Sequence, residues 1–88
     1  MADYSVAFAR SARKELEKLP SSAADRIVDR IEGLATIPRP SGAVKLKGNK
    51  TLWRIRVGEY RVIYSIDDAA RAIDISAVRN RKDAYCDI

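Results

Sequence analysis

The spacing of apolar residues changes near the middle of the chain, at the segment Pro38 to Gly42, and this change limits the folds available to it. Before the segment, apolar residues recur every three to four positions, whereas after it they alternate with polar ones. A period near 3.6 indicates an amphipathic helix and a period of 2 indicates a strand with one buried face. The sequence therefore predicts helices in the first half and strands in the second.

Two helices are predicted before this segment, preceded by a short strand over residues 3–8. The first covers residues 9–19 and ends at Pro20, and the second follows Ser22, a candidate N-cap with an acidic residue three positions later. The short link between them favours an antiparallel hairpin. Glu15 and Glu17 alternate with basic residues on the first helix, so we expect them on a solvated surface. The apolar stripes are Ala9, Ala12, Leu16 and Leu19, and then Ile27, Val28, Ile31, Leu34 and Ala35.

Strands are predicted over residues 44–47, 52–57, 60–66 and 71–78, separated by short turns such as Gly58-Glu59. Short turns between consecutive strands favour an antiparallel meander, with one face covered by the helices. The fold class is therefore α+β: an N-terminal strand and an antiparallel helix hairpin packed on a three- to four-stranded antiparallel sheet. The length favours a single domain over residues 1–88. The predicted core face carries Trp53, Ile55, Val57, Val62 and Tyr64.

Positive charge is concentrated in the second half of the chain. Residues 45–88 contain ten Lys and Arg against six Asp and Glu, and residues 45–61 contain six against one. Alternation places Arg54 and Arg56 on the sheet face away from the core, and Arg61 lies just across the hairpin turn from them. Clustered cations repel one another, so stability gives no reason for this arrangement, whereas binding of phosphate does. A solubilising surface is the alternative, but the basic cluster favours a nucleic-acid partner.

Several classes of protein are disfavoured by what the composition omits. The chain has no histidine and one cysteine, Cys86, so a thiol protease, a zinc site and an intramolecular disulfide are not expected. We expect no metal and no cofactor. No segment resembles a signal peptide or a membrane span, and we therefore expect a cytoplasmic protein without a membrane partner.

A ribonuclease can act without histidine or metal, because RNA carries its own nucleophile in the 2′-hydroxyl. The enzyme must align this group with the adjacent phosphate and neutralise the charge that develops there. Arginine suits the phosphate oxygens, and an aromatic residue such as Tyr85 can stack on a base. Arginine is a poor proton acceptor. The general base is therefore left open among Lys47, Tyr85 and Glu59.

Three motifs resemble the RelE/ParE superfamily of toxins. The stretch from Leu52 to Tyr64 is similar to the superfamily hairpin, with its basic strand, Gly-acid turn and Tyr-Arg-hydrophobic-hydrophobic-Tyr strand. Residues 45–48 (KLKG) resemble the strand that precedes this hairpin, and residues 81–85 (RKDAY) resemble the C-terminal motif. The order of elements agrees from about Tyr4 to Tyr85, which is nearly the whole chain.

This resemblance implies an α+β fold like that of small microbial ribonucleases, a cognate antitoxin, contact with operator DNA only through that antitoxin, and, for RelE members, cleavage of mRNA in the ribosomal A site. It implies that hairpin arginines handle the 2′-hydroxyl and the phosphate, that Arg81 assists the leaving oxygen, and that Tyr85 orients the substrate. The implied catalytic residues are Arg54, Arg56, Arg61, Arg81 and Tyr85. The expected RNA- or ribosome-binding residues are Lys45, Lys47, Lys50, Arg79 and Lys82.

Some positions depart from the superfamily pattern. Certain active members have lysine in place of Arg54 and Arg56, and many have glycine in place of Arg79 and histidine in place of Asn80. The acting C-terminal arginine is therefore Arg79 or Arg81, with spacing to the C-terminal tyrosine favouring the latter. The sequence stops shortly after this motif, so no C-terminal helix is expected. A ParE-like inhibitor of DNA gyrase and a degenerate member that only binds antitoxin are the alternative functions.

Overall fold

The computed structural model describes residues 3–46, 48 and 51–80, which contain two helices and five strands. The helices are α1 (Arg10–Glu17) and α2 (Ser21–Leu34). The strands are β1 (Ser5–Phe8), β2 (Val44–Lys45), β3 (Leu52–Val57), β4 (Tyr60–Asp67) and β5 (Ala72–Asn80). Neither helix in these described ranges is long and apolar enough to cross a membrane.

All five strands form one sheet in the order β1-β5-β4-β3-β2. The pairs β2–β3, β3–β4 and β4–β5 are antiparallel, as the short turns predicted. The N-terminal strand β1 joins the sheet as its parallel edge, next to β5. A parallel pair needs a long crossover, and here α1, α2 and strands β2 to β4 lie between the two partners in sequence. The α+β class predicted from the sequence is confirmed.

The core lies between the helices and one face of the sheet. Ile27 and Ile31 of α2 are 0% and 1% exposed, and they belong to the same buried cluster as Ile55 and Val62 of the central strands. Burying a side chain of this size contributes about 1.5–3 kcal/mol. The face predicted for the core is therefore confirmed, with Trp53 partly buried at its margin. The remaining buried members of the cluster are Ala12, Leu34, Val57, Tyr64, Ile66, Ile73, Ile75 and Val78.

The helix boundaries differ from the prediction at two places. Ser22 is not the N-cap, because α2 begins at Ser21 and Pro20 holds the cap position with φ −56° and ψ 146°. Proline fixes φ near this value, so the chain is already set to enter the helix one residue earlier. Helix α1 ends at Glu17, since the N–H of Leu19 bonds to the Leu16 carbonyl in a tightened last turn.

Side chains fasten the Pro38–Gly42 loop to the sheet. The Tyr64 hydroxyl donates to the Pro38 carbonyl at 2.8 Å, and burial raises the pKa of Tyr64 to about 12, so the phenol remains a donor. The Arg39 guanidinium lies 5.2 Å from the Trp53 ring centroid and pairs with Asp68 at 2.8 Å. Hydrogen bonds, first from Arg39 and then from Tyr4, lower the pKa of Asp68. These contacts order the end of the sheet that is remote from Gly58.

A substitution at Gly58 provides a test of the geometry of the β3–β4 turn. Its φ is +60°, while Glu59 keeps a negative φ, which is the pattern of a type II′ hairpin. An added Cβ would lie 3.1 Å from the Arg26 guanidinium. We expect Gly58→Ala to lower the free energy of unfolding by about 1–2 kcal/mol, because alanine is strained in this conformation.

Gly33→Ala is the matched control, because a Cβ on this α2 residue meets nothing within 4 Å. Alanine favours a helix over glycine by up to about 1 kcal/mol, so this variant should be more stable than the wild type. Urea denaturation of the three proteins measures both changes. A Gly58→Ala protein as stable as Gly33→Ala would contradict the assigned turn.

Candidate active site

Three arginines lie side by side across the central strands, on the sheet face away from the helices. The register places Arg56 of β3 opposite Arg61 of β4, and Arg61 opposite Arg79 of β5. Residues directly opposite each other share a face, with Cβ atoms about 5 Å apart. Arg54 lies two residues before Arg56 and so belongs to the same face. These four residues, Arg54, Arg56, Arg61 and Arg79, are called the arginine cluster below.

A bulge in β5 brings Arg79 into this cluster. Tyr64 pairs with Ile75 and Ile63 pairs with Ala77, so Ser76 is an extra residue in the ladder. An extra residue exchanges the two faces of the strand beyond it. Strict alternation from Ile75 would have directed Arg79 toward the helices, whereas the bulge directs it toward Arg61.

Burial and like charge act together on these arginines. Arg61, on the central strand β4, is a charged residue that is only 7% exposed. Burial lowers the pKa of Arg54, and the charges of Arg61 and Arg56 lower it further. Like charges on neighbouring strands repel one another, and an anion bound among them would reduce this repulsion. The cluster is therefore suited to receive an anionic group.

A hollow lies where the cluster meets the hairpin turn. It has a volume of about 110 Å³ and is lined by Arg56, Gly58, Glu59 and Arg61. This exceeds the roughly 15 Å³ that one water molecule needs. Two arginines and one glutamate therefore line the same small space, and Glu59, one of the three candidate bases, lies at the margin of the cluster.

The charge and polarity of the side chains on this sheet face change along the strands. The row next to Arg56 and Arg61 contains Arg54 with Val44 and Ile63, and Val44 is 44% exposed. Farther from the hairpin turn, the register places Asp74 opposite Ser65 and then Asp67 opposite Ala72. The face thus runs from cationic at the Gly58 end, through an apolar patch, to acidic at the other end.

Glu15 of α1 reaches the edge of the cluster, contrary to its predicted place on a solvated surface. Its Oε1 accepts a hydrogen bond from the Val78 N–H at 3.0 Å, and its Oε2 lies 2.9 Å from Arg79 Nε in a charge contact that is not aligned as a hydrogen bond. The sequence did hold a signal for this. Positions 12, 15, 16 and 19 follow the i, i+3, i+4, i+7 spacing of the face that packs on the protein.

The other predicted site residues are placed differently or lie outside the described residues. Lys45 is opposite Trp53 on the helix side of the sheet, so it does not join the arginine cluster. Among the described residues, no group of three or more His, Cys, Asp or Glu side chains is placed to hold a metal ion. The predicted residues outside the described ranges are Lys47, Lys50, Arg81, Lys82 and Tyr85.

Comparison with known proteins gives the family. The model of the family described as the ParE toxin of type II toxin-antitoxin system, parDE, matches residues 6–85. The chain belongs to the RelE/ParE superfamily of toxins of type II toxin–antitoxin systems. The superfamily predicted from the three motifs is thereby confirmed.

Named relatives and a solved structure support the same assignment. The chain is 31% identical over 83 residues to the toxin RelE of Mycobacterium tuberculosis, covering 93% of this chain and 86% of the relative. It is 32% identical over 83 residues to the toxin RelG of the same organism, covering 93% and 95%. The archaeal RelE–RelB complex of Pyrococcus horikoshii superimposes with a TM-score of 0.80 at 31% identity, covering 92% of this chain and 97% of that one.

The arginine cluster in this RelE/ParE toxin should cost stability when no anion is bound. We expect Arg56→Gln to raise the free energy of unfolding by about 0.5 kcal/mol, since like charges directly opposite on a sheet are destabilising by this order. Added salt should stabilise the wild type more than the variant, because salt screens the repulsion that the substitution removes. Denaturation at low and high salt checks this, with the exposed Arg13→Gln on α1 as control. A wild type with no greater salt dependence than Arg56→Gln would contradict the expected repulsion.

Proposed function

We propose that this toxin is a metal-independent endoribonuclease that cleaves mRNA on the ribosome and so stops translation. The observation that carries the proposal is the arginine cluster, in which Arg61 is held nearly buried between cations on both neighbouring strands. Positive charge concentrated in this way is suited to bind an anion, and the phosphodiester is an anion with oxygens spaced for guanidinium groups. The RelE names of the relatives support the same conclusion.

The proposed reaction uses the nucleophile of the RNA itself. The 2′-oxygen forms a bond to the adjacent phosphorus as its proton passes to a base, and the bond from phosphorus to the 5′-oxygen breaks as that oxygen gains a proton. The products are a 2′,3′-cyclic phosphate and a 5′-hydroxyl. The arginine cluster would neutralise the charge that builds on the phosphoryl oxygens, which is where preorganised donors accelerate a reaction most.

Removal of the proton from the 2′-hydroxyl is assigned to a group beside the cluster rather than to its arginines, which are poor bases. Glu59 borders the hollow beside Arg56 and Arg61 and is the candidate base among the described residues. Lys47 and Tyr85 remain the other candidates. The superfamily resemblance assigns protonation of the leaving oxygen to Arg81, with Arg79 as the alternative.

A second candidate function is inhibition of DNA gyrase. The family model that matches residues 6–85 is named for ParE, and ParE-like toxins share this fold. The C-terminal Arg81 and Tyr85 favour the RelE function, because ParE members generally lack this pair. A cationic sheet face serves either activity, so the experiment below has to separate cleaved transcripts from damaged DNA.

The first test is primer extension on cellular mRNA after brief induction. We expect cuts within codons for the wild type. Arg61→Ala should reduce cleavage by on the order of 100-fold, the loss typical when one preorganised donor to a developing oxyanion is removed. Arg81→Ala should also reduce it. Arg13→Ala, which removes an exposed arginine from α1, is the matched control and should cleave like the wild type.

Because Arg61 is buried, its variants need a check of folding by circular dichroism. Arg61→Lys keeps the charge and should retain part of the activity if the folded variant lacks only the planar donor set. Growth arrest with intact transcripts and gyrase-dependent DNA breaks would refute the nuclease and support the second candidate. Expression without growth arrest would instead favour a member that only binds antitoxin.

We further propose that a cognate antitoxin covers the arginine cluster with an acidic, extended segment. The Pyrococcus horikoshii RelE was solved in complex with RelB, which supports a partner of this kind. Acidic side chains of the segment would meet the arginines, and apolar ones would meet the adjacent exposed Val44. This would relieve the repulsion within the cluster and block access of RNA at the same time.

Charge reversal tests this antitoxin surface. We expect Arg56→Glu to weaken binding of the cognate antitoxin by at least about tenfold, which corresponds to 1.4 kcal/mol, because it places a carboxylate against an acidic segment. Lys18→Glu on α1 is the control and should bind like the wild type. Isothermal titration calorimetry gives both affinities. Equal affinities for the two variants would show that the antitoxin avoids the cluster.

A further inference from the structure

Among the residues that the structure describes, no strand pairs with the outer side of β5 at the end that carries Arg79. Strand β1 pairs with β5 only from Ala72 to Ile75, and β5 continues to Asn80. The outer N–H of Val78 would face water at this edge, but it donates to Oε1 of Glu15 at 3.0 Å. Exposed sheet edges are commonly protected in this way by a neighbouring element. Here helix α1 provides the protection through a single carboxylate.

The second oxygen of the same carboxylate contacts the arginine cluster. Oε2 of Glu15 lies 2.9 Å from Nε of Arg79, and the two side chains are 29% and 33% exposed. A partly buried contact at this distance restricts the rotamers of a long side chain more than a fully solvated one does. The Glu15 contact therefore restrains the Arg79 guanidinium at Nε.

We propose that Glu15 is a positioning residue, which acts through Arg79 to fix the outer guanidinium of the cluster for the scissile phosphate. This rests on the proposed ribonuclease function. The carboxylate sits at the β5 end of the row Arg56, Arg61, Arg79 and contributes a negative charge there. It thereby limits the repulsion that would otherwise drive Arg79 away from Arg61 when no RNA is bound.

Because the two oxygens of Glu15 have different partners, one substitution can test the positioning of Arg79 separately from the support of the β5 edge. Glu15→Gln keeps an amide oxygen that can accept from the Val78 N–H, but it removes the charge that holds Arg79. The edge of β5 should therefore stay protected in this variant, while the arginine becomes free to change rotamer. Glu17→Gln on the exposed side of α1 makes the same chemical change away from Arg79 and is the matched control.

The experiment compares wild type, Glu15→Gln, Glu17→Gln, Arg79→Ala and the Glu15→Gln/Arg79→Ala double variant in single-turnover cleavage of mRNA on ribosomes. We expect Glu15→Gln to lower the rate constant of cleavage by about tenfold without raising KM, within the loss that a misplacement of about 1 Å produces. In the Arg79→Ala background the same substitution should have no further effect on the rate.

Binding gives a second readout that a structural role would not change. The probe is a short mRNA whose scissile nucleotide is 2′-deoxy, so that it binds without being cut. Removing the carboxylate ends its partial neutralisation of Arg79, so this arginine should neutralise the bound phosphate more fully, and the slope of log affinity against log salt should steepen by up to about 0.7. The steepening should be absent in the double variant. The NMR chemical shift of Arg79 Nε should change in Glu15→Gln, because the carboxylate 2.9 Å away loses its charge, and it should stay unchanged in Glu17→Gln.

Two results would overturn the proposal. One is an equal loss of cleavage from Glu15→Gln in the wild-type and Arg79→Ala backgrounds, accompanied by lower thermal stability, which would make Glu15 a support of the β5 edge alone. The other is an Arg79 Nε–Hε signal that does not respond to Glu15→Gln. If the wild type cleaves no RNA, the proposed function fails, and the salt slopes and the NMR signal then decide whether Glu15 orients Arg79 for binding of an anionic chain.

Discussion

The register between β3 and β4 determines both the core and the site. A two-residue turn at Gly58-Glu59 sets Ile55 opposite Val62 on one face and Arg56 opposite Arg61 on the other. Because side chains alternate strictly, a slip of one residue would turn the arginines toward the helices and expose the isoleucine and valine to water. Burying unpaired guanidinium groups would cost far more than the hairpin contributes. The apolar core therefore enforces the assembly of the arginine cluster, and no separate device is needed to bring Arg56 to Arg61.

Repulsion among the arginines at the Gly58 end of the sheet lowers stability, and contacts elsewhere in the molecule offset this loss. At the end remote from Gly58, Tyr64 bonds to Pro38, and Asp68 accepts from both Tyr4 and Arg39. The exposed ion pair contributes little by itself, since solvent screens it, so most of the compensation comes from the buried helix–sheet core. Because the core supplies most of the stability, the protein can fold with like charges clustered at the Gly58 end of the sheet.

Most of the fold follows from the sequence, because the change of apolar period and the Gly-containing turn are local signals. The same alternation placed Arg54, Arg56 and Arg61 on one face. The parallel pairing of β1 with β5 depends on residues about 67 positions apart in the chain, as Ser5 and Ala72 are, and no local pattern encodes it. The face on which Arg79 lies could not be predicted from alternation, because the bulge at Ser76 exchanges the two faces of β5 beyond it. Glu15 was misassigned because its charge outweighed its position within the apolar stripe.

On the proposed function, the shape of the site explains why the ribosome would be needed. The arginine cluster lies on the sheet face away from the helices, and the hollow beside it has a volume of about 110 Å³, which is too little to enclose a nucleotide among the described residues. Charge alone attracts RNA without fixing which phosphate is attacked, because every phosphate presents the same oxygens. In-line attack by the 2′-oxygen also requires an unusual arrangement of the RNA backbone, and alignment of this kind supplies a large share of rate acceleration. A site whose described residues offer preorganised positive charge beside a small hollow would act best on a strand that another body holds in that arrangement. The A site of the ribosome, which holds mRNA codon by codon, provides such a support, and the cationic end of this sheet would then act only on the phosphate presented to it.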